Sequence, residues 1–154
     1  MGLGISLLNV RRSIFIEASP ARVWREFESF EHLREWFGLG HTLHEYVPAL
    51  GGQVDLSVGI EGEPRHFGGK IVVFDPGHEL SFENNWQPPN AWPVPTFFTL
   101  RLSAVYDGTM VEIFHHGFDR LGAEAADNLE GYEEGWGMNH LKALRQITRD
   151  ARPI

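Results

Sequence analysis

The sequence predicts an α+β fold in which a curved antiparallel β-sheet packs against one long C-terminal helix. Strand patterns follow one another through the middle of the chain and are joined by short turns, which favours antiparallel pairing. A helical pattern then occupies the C-terminal part. A chain of 154 residues, 42% of them hydrophobic, can bury a core without disulfides or metals. We therefore expect a single domain over residues 1–154, with its core at about 11–149.

Two short helices are predicted directly after the first strand. Ile14 and Ile16 alternate with their neighbours, which is typical of a strand. Ser19 suits the N-cap of a helix, and Pro20 suits the first helical position, where its missing N–H does no harm. A second short helix begins near Phe30 and ends at the glycines that follow. We expect these helices to close one end of the sheet.

Further strands are predicted between Gly40 and the C-terminal helix, for a sheet of about six to seven strands. Asp107-Gly108 is the strongest hairpin signal in the chain. The segment 87–95 contains four prolines, which exclude regular structure, and its Trp92 is a candidate gate or partner contact. The alternating segments are 41–47, 53–58, 68–75, 79–86, 96–106 and 109–116.

The C-terminal helical pattern runs from about Glu124 to Arg149. Three glycines lie inside it, and each costs a helix about 1 kcal/mol relative to alanine. We infer that the helix bends there or approaches a neighbour closely. Its apolar stripe is predicted to contain Leu129, Tyr132, Trp136, Ala143 and Ile147, flanked by Leu141 and Leu144.

A cavity is expected between this helix and the sheet, because one helix covers a wide sheet incompletely. Trp24 and Phe27 are expected to pack the short helices onto the end of the sheet. Trp36 and Phe37 are expected near the mouth of the cavity.

Composition and charge narrow the possible partners. The net charge of −8 argues against nucleic acid, since no basic surface attracts phosphates. There is no cysteine, which excludes thiolate chemistry and fits a reducing compartment, so we expect a cytoplasmic protein. No apolar run approaches the length of a membrane span, so no stable membrane insertion is expected.

The chain resembles the SRPBCC superfamily, whose members are START-like and similar to the birch-pollen allergen. The subgroup it resembles is related to the C-terminal domain of the activator of heat-shock-protein-90 ATPase. The similarity covers about residues 11–149 and rests on "IEASPARVWREF", "REWFG", "GGKIVVFDPGHEL", "DGTMVEIFHHGF" and "GYEEGWGMNHLKALRQI". It implies a helix-grip fold with an internal pocket. Relatives bind lipids, sterols or polyketides, and some are cyclases or aromatases, so no single activity is implied.

His115 is the histidine that the strand pattern directs inward. It alternates with Val111 and Ile113, whereas the adjacent His116 points to the opposite face, so the two cannot readily share a metal. His115 is then either a core histidine satisfied by a local hydrogen bond or a polar group of the pocket. The family that the chain resembles often has a histidine at this position, before "GF", and both interpretations of His115 remain alternatives.

Large aromatic residues are the other candidate pocket residues. The alternative for each of them is ordinary packing in the hydrophobic core, where large aromatic side chains are common. Asn84, His115 and Tyr132 are the candidate polar anchors. No metal-ligand spacing, catalytic triad or phosphate loop is present, so no metal, cofactor or catalytic residue is predicted. The candidate ligand-binding residues are Trp36, Phe37, Asn84, Trp86, Trp92, Phe98, His115, Tyr132 and Trp136.

Three functions fit these observations. The first is a protein that holds a small apolar or amphipathic molecule between the sheet and the C-terminal helix. The second is a cyclase- or hydrolase-like enzyme that uses His115 as acid or base. The third is a chaperone-associated or other protein-interaction module, for which a protein partner or a homodimer is possible.

Overall fold

The computed structural model describes residues 9–37, 41–59, 63–88, 91–118, 121 and 138–150. Seven strands form one antiparallel sheet in the order β1-β7-β6-β5-β4-β3-β2, which curls into a half-barrel. The predicted α+β fold class is confirmed. The strands are β1 Val10–Ile16, β2 Thr42–Tyr46, β3 Gln53–Val58, β4 Arg65–Asp75, β5 Glu79–Trp86, β6 Thr96–Val105 and β7 Gly108–His116.

Two short helices follow β1, as predicted. Helix α1, Pro20–Trp24, continues into the 3-10 turn Arg25–Phe27, and helix α2 is Phe30–Phe37. Ser19 is the N-cap of α1, and its hydroxyl accepts a hydrogen bond from the backbone N–H of Arg22 at 3.2 Å. The cap confirms the serine-proline signal at this junction.

Aromatic contacts fasten the short helices to the end of the sheet. The Trp24 and Phe27 rings stack with centroids 4.8 Å apart, and Trp24 meets the edge of Phe74 on β4 at 5.6 Å. The Tyr46 hydroxyl on β2 donates to the backbone oxygen of Phe27. These contacts confirm the role expected of Trp24 and Phe27.

The described part of the C-terminal helix is α3, Met138–Asp150. The buried face of α3 differs from the predicted apolar stripe, because Ala143 and Ile147, which were predicted to lie on that stripe, are only partly buried. The predicted helical residues before 138, including Tyr132 and Trp136, lie outside the described residues. The side of α3 that is buried carries His140, Leu141, Leu144 and Thr148.

The turn between β6 and β7 lies one residue earlier than predicted. Val105 pairs with Gly108, so the connecting residues are Tyr106 and Asp107, and Tyr106 has a φ of 52°. Gly108 is a strand residue, and a Cβ added to it would overlap the backbone oxygen of Ile16 on β1. Glycine is therefore required there by the close approach of β1, and the turn does not explain it.

Strand β4 begins at Arg65, three residues before the predicted start at Gly68. Its first residue pairs with Val58 at the end of β3, so the strand ladder extends further toward this connection than expected. This extension places the charged side chain of Arg65 at the end of the sheet, beside Trp86.

Candidate functional site

Nine aromatic and imidazole side chains form a closed series of contacts on the concave side of the sheet; we call them the aromatic cluster. Neighbouring ring centroids lie 4.6–6.4 Å apart, and the series returns to its first member. Such offset and edge-to-face contacts stabilise aromatic groups beyond their burial. In order of contact, the cluster is Phe37, Phe98, His115, Phe118, Trp92, Trp86, Phe67, His41 and His140.

Strand register explains why part of the cluster lies on one face. Phe67 on β4 is directly opposite Trp86 on β5, and Phe98 on β6 is directly opposite His115 on β7. Directly opposite residues in antiparallel strands point to the same side of the sheet. Asn84 lies two residues before Trp86 and is fully buried. The cluster therefore combines apolar rings with a buried amide on one face.

His115 is fully buried on the same face as Val111 and Ile113, which confirms the predicted direction of its side chain. Its Nε2 lies 2.7 Å from the hydroxyl oxygen of Thr96, which itself donates to the backbone oxygen of Asn84 at 3.1 Å. Because the hydroxyl has one proton, Nε2–H donates to Thr96, and Nδ1 is an acceptor. Burial, with a smaller effect of nearby His116, lowers the pKa of His115 to about 3.

Two further histidines meet on the helix side of the cluster. The rings of His41 and His140 are 5.6 Å apart, and His41 also meets the edge of Phe67 at 5.5 Å. Burial lowers the pKa of His41 to about 4, and the charge of His140 lowers it further in the same direction. Both His41 and His115 are therefore neutral near pH 7.

The proline-rich segment is held against the cluster at Trp92. Its described residues, 87–88 and 91–95, form neither helix nor strand, as predicted. The Asn85 side chain accepts a hydrogen bond from the Trp92 N–H at 2.8 Å and donates one to the Trp92 carbonyl at 3.2 Å. The indole of Trp92 then contacts Trp86 and Phe118 edge-on. One amide side chain thus sets the position of this tryptophan.

Trp36 lies deeper than the sequence suggests. It is fully buried, its indole N–H donates to the backbone oxygen of Glu26 at 3.2 Å, and its ring packs on Phe27 and Phe37. Phe37, also expected near the mouth of a cavity, is likewise buried and belongs to the cluster. The expectation that these two residues lie at a mouth is therefore wrong for Trp36, because its neighbours belong to the short helices.

The nine predicted site residues divide into four groups. Trp36 packs among the short helices, Tyr132 and Trp136 lie outside the described residues, and Asn84 is enclosed on β5. The cluster also includes Phe67, which could have been found from its pairing partner, and three residues that only the fold brings close: His41, Phe118 and His140. The predicted residues that meet in the cluster are Phe37, Trp86, Trp92, Phe98 and His115.

A cavity of about 300 Å³ lies at the end of the sheet beside the cluster. It is lined by Val58, Gly59, Glu63, Arg65 and Trp86. This volume is at the lower end of the range for small-molecule sites, and the Trp86 indole gives it an apolar wall.

The described residues contain no group of three or more histidine, aspartate or glutamate side chains placed to hold a metal ion. In the same part of the chain, no helix is long and apolar enough to cross a membrane.

The family model for "Activator of Hsp90 ATPase homolog 1-like protein" matches residues 17–149. No curated protein matches the sequence. The matched residues begin directly after β1, end within α3 and include all nine residues of the aromatic cluster.

Several solved structures share the fold. A protein from Chromobacterium violaceum is 22% identical, with a TM-score of 0.69 over 92% of this chain and 97% of that one. A protein from Arthrobacter aurescens is 18% identical, with a TM-score of 0.73 over 96% of this chain and 90% of that one. The Aha1 dimer from Colwellia psychrerythraea is 18% identical, with a TM-score of 0.66 over 94% and 98%. At 18–22% identity, these similarities establish the fold of this chain alone.

Proposed function

The chain belongs to the Activator of Hsp90 ATPase homolog 1-like family, and from this premise we propose that it binds a small apolar or amphipathic molecule at the aromatic cluster. The closed series of nine rings is the observation that supports this most. Small-molecule sites are mostly apolar and aromatic, with a few polar groups that orient the ligand. The cluster has this composition, since the buried amide of Asn84 lies on the same face of the sheet as its rings and two of its imidazoles are neutral near pH 7.

A binding role agrees better with His115 than an acid–base role does. A general base is most effective when its pKa is near the operating pH. Burial lowers the pKa of His115 to about 3, so its imidazole is a weak base near neutrality, and its Nε2–H donates to the Thr96 hydroxyl. These properties suit a neutral polar group that contributes shape and hydrogen bonding.

Binding can be tested with naphthamide, a neutral planar probe, and with native mass spectrometry for molecules that copurify. Trp86→Ala removes a half-buried ring from the cluster, and we expect it to weaken naphthamide binding about tenfold, the scale of one aromatic contact. Phe114→Ala is the matched control, because Phe114 is half-buried on the opposite face of the sheet. Equal affinity losses in the two variants would contradict binding at the cluster.

Self-association is a second candidate function, favoured by an exposed apolar patch. Leu50 is 72% exposed at the tip of the β2–β3 connection, and Val72 and Val73 are exposed on β4 nearby. The connection is held to β4 because the Gly51 N–H donates to the Ile71 carbonyl. The Aha1 relative from Colwellia psychrerythraea was solved as a dimer. Light scattering of the wild type and Leu50→Asp tests this, and a wild type that stays monomeric at high concentration would refute it.

A further inference from the structure

Arg65 lies at the end of the sheet, at the cavity beside the aromatic cluster. As the first residue of β4, it is opposite Val58, while Phe67 two residues later is opposite Leu56 and Trp86. Side chains two residues apart on a strand point to the same face. Arg65 is therefore on the concave face, one step beyond the rings of Phe67 and Trp86.

The cavity beside Trp86 connects this arginine to the cluster. Trp86 is both a wall of the cavity and a member of the cluster, with its centroid 5.1 Å from that of Phe67. Arg65 and Glu63 are exposed at the cavity, and among the described residues neither forms an ion pair. A guanidinium next to an indole wall is thus available to a ligand.

The deeper part of the cluster is unsuited to a charged group. Burial keeps His41 and His115 neutral there, as their lowered pKa values show. A ligand charge placed among these rings loses its hydration without gaining an opposite charge. A ligand that carries a charge is therefore best held with its apolar body inward and its charge at the rim.

We propose that the ligand is an aromatic carboxylate, whose planar body lies against Trp86 and the cluster and whose carboxylate is bound by Arg65. A planar guanidinium can hold a carboxylate through two parallel hydrogen bonds, which lysine or a neutral donor cannot reproduce. This assignment rests on the proposed small-molecule function and adds the chemical class and the orientation of the ligand.

Glu63 is an acidic residue at the same cavity as Arg65. It lines the same cavity, so its carboxylate opposes the binding of an anion that Arg65 favours. The net charge of the chain is −8, so the overall field repels anions. Any preference for an anionic ligand must then arise locally, at Arg65.

The experiment compares naphthoate with naphthamide, which have the same planar body and differ in charge. Both are titrated by calorimetry into the wild type, Arg65→Gln and Glu63→Gln near neutral pH. We expect the wild type to bind naphthoate about tenfold more tightly than naphthamide, the scale of a charge-assisted pair. Arg65→Gln should abolish this preference and leave naphthamide affinity within about twofold, and Glu63→Gln should increase the preference.

The outcomes separate this inference from the function on which it rests. A wild type that binds naphthamide as well as naphthoate, or an Arg65→Gln variant that keeps the preference, overturns the assignment of Arg65 and leaves small-molecule binding intact. Failure of both probes to bind contradicts the proposed function and this inference together. Arg65 is exposed, so the substitution leaves the core unchanged and each result reports on binding.

Discussion

Acidification from neutral pH should destabilise this protein, because its folded state keeps the imidazoles of His41 and His115 neutral. The pKa is lowered from 6.5 to about 3 for His115 and from 6.5 to about 4 for His41. The unfolded chain takes up these protons below about pH 6.5, and the folded chain does not. The stability is therefore fully present above that pH, falls as the pH drops, and levels off below the folded-state values.

The magnitude follows from the difference in proton binding between the two states. Between about pH 7 and about pH 5, each of the two histidines removes about 2 kcal/mol from the free energy of unfolding. The sum, about 4 kcal/mol, is a large part of the stability of an ordinary domain, which is about 5–15 kcal/mol. Both imidazoles belong to the aromatic cluster, so the acid sensitivity originates where the ligand is proposed to bind.

The assay is urea unfolding at several pH values for the wild type, His115→Gln and His44→Gln. Glutamine at 115 keeps a hydrogen-bonding group but takes up no proton, so the loss between the two pH values should shrink by about 2 kcal/mol. His44 is exposed on β2 and serves as the control. An unchanged pH dependence in His115→Gln, whatever its stability near neutrality, would refute the assignment of a neutral buried imidazole.

Three further substitutions test separate parts of the structure. Gly108→Ala should lower the free energy of unfolding by about 1–3 kcal/mol, because its Cβ overlaps the Ile16 oxygen; undiminished stability in urea would show that β1 can move away. Asn85→Ala removes both hydrogen bonds to Trp92, so stopped-flow binding of naphthamide should become faster in both directions, and unaltered rates would rule out this tryptophan as a gate. His115→Ala should weaken naphthamide binding by about 1–2 kcal/mol with no change in any chemical conversion, as judged by product analysis. Wild-type turnover that disappears in this variant at unchanged affinity would instead favour an enzyme.

The strands were predictable because apolar and polar residues alternate along each one, which indicates the side of the strand that is buried. It correctly directed His115 inward, and the cap at Ser19 correctly marked the start of α1. Gly108 was misassigned because a glycine needed for close packing and a glycine needed for a turn look alike in sequence. The distinction depends on the neighbouring strand β1, which is distant in the sequence.

The candidate site was predictable only in part, because it is assembled from residues far apart in the chain. His41 directly precedes β2 and His140 lies on α3, so they meet only after α3 packs on the sheet. Asn85 lies between Asn84 and Trp86 on β5, so the strand pattern directs its side chain away from the cluster. That side chain nevertheless positions Trp92 by hydrogen bonds to the Trp92 backbone. Arg65 could have been found from its pairing with Val58 across the β3–β4 connection.

The most direct test of the account is the position of a bound probe on the sheet. Intermolecular nuclear Overhauser effects from naphthamide should connect its ring protons to Trp86 and Phe98, which belong to the cluster on the concave face. Contacts confined to Phe114 or His116, whose stacked rings lie on the opposite face, would contradict binding at the cluster.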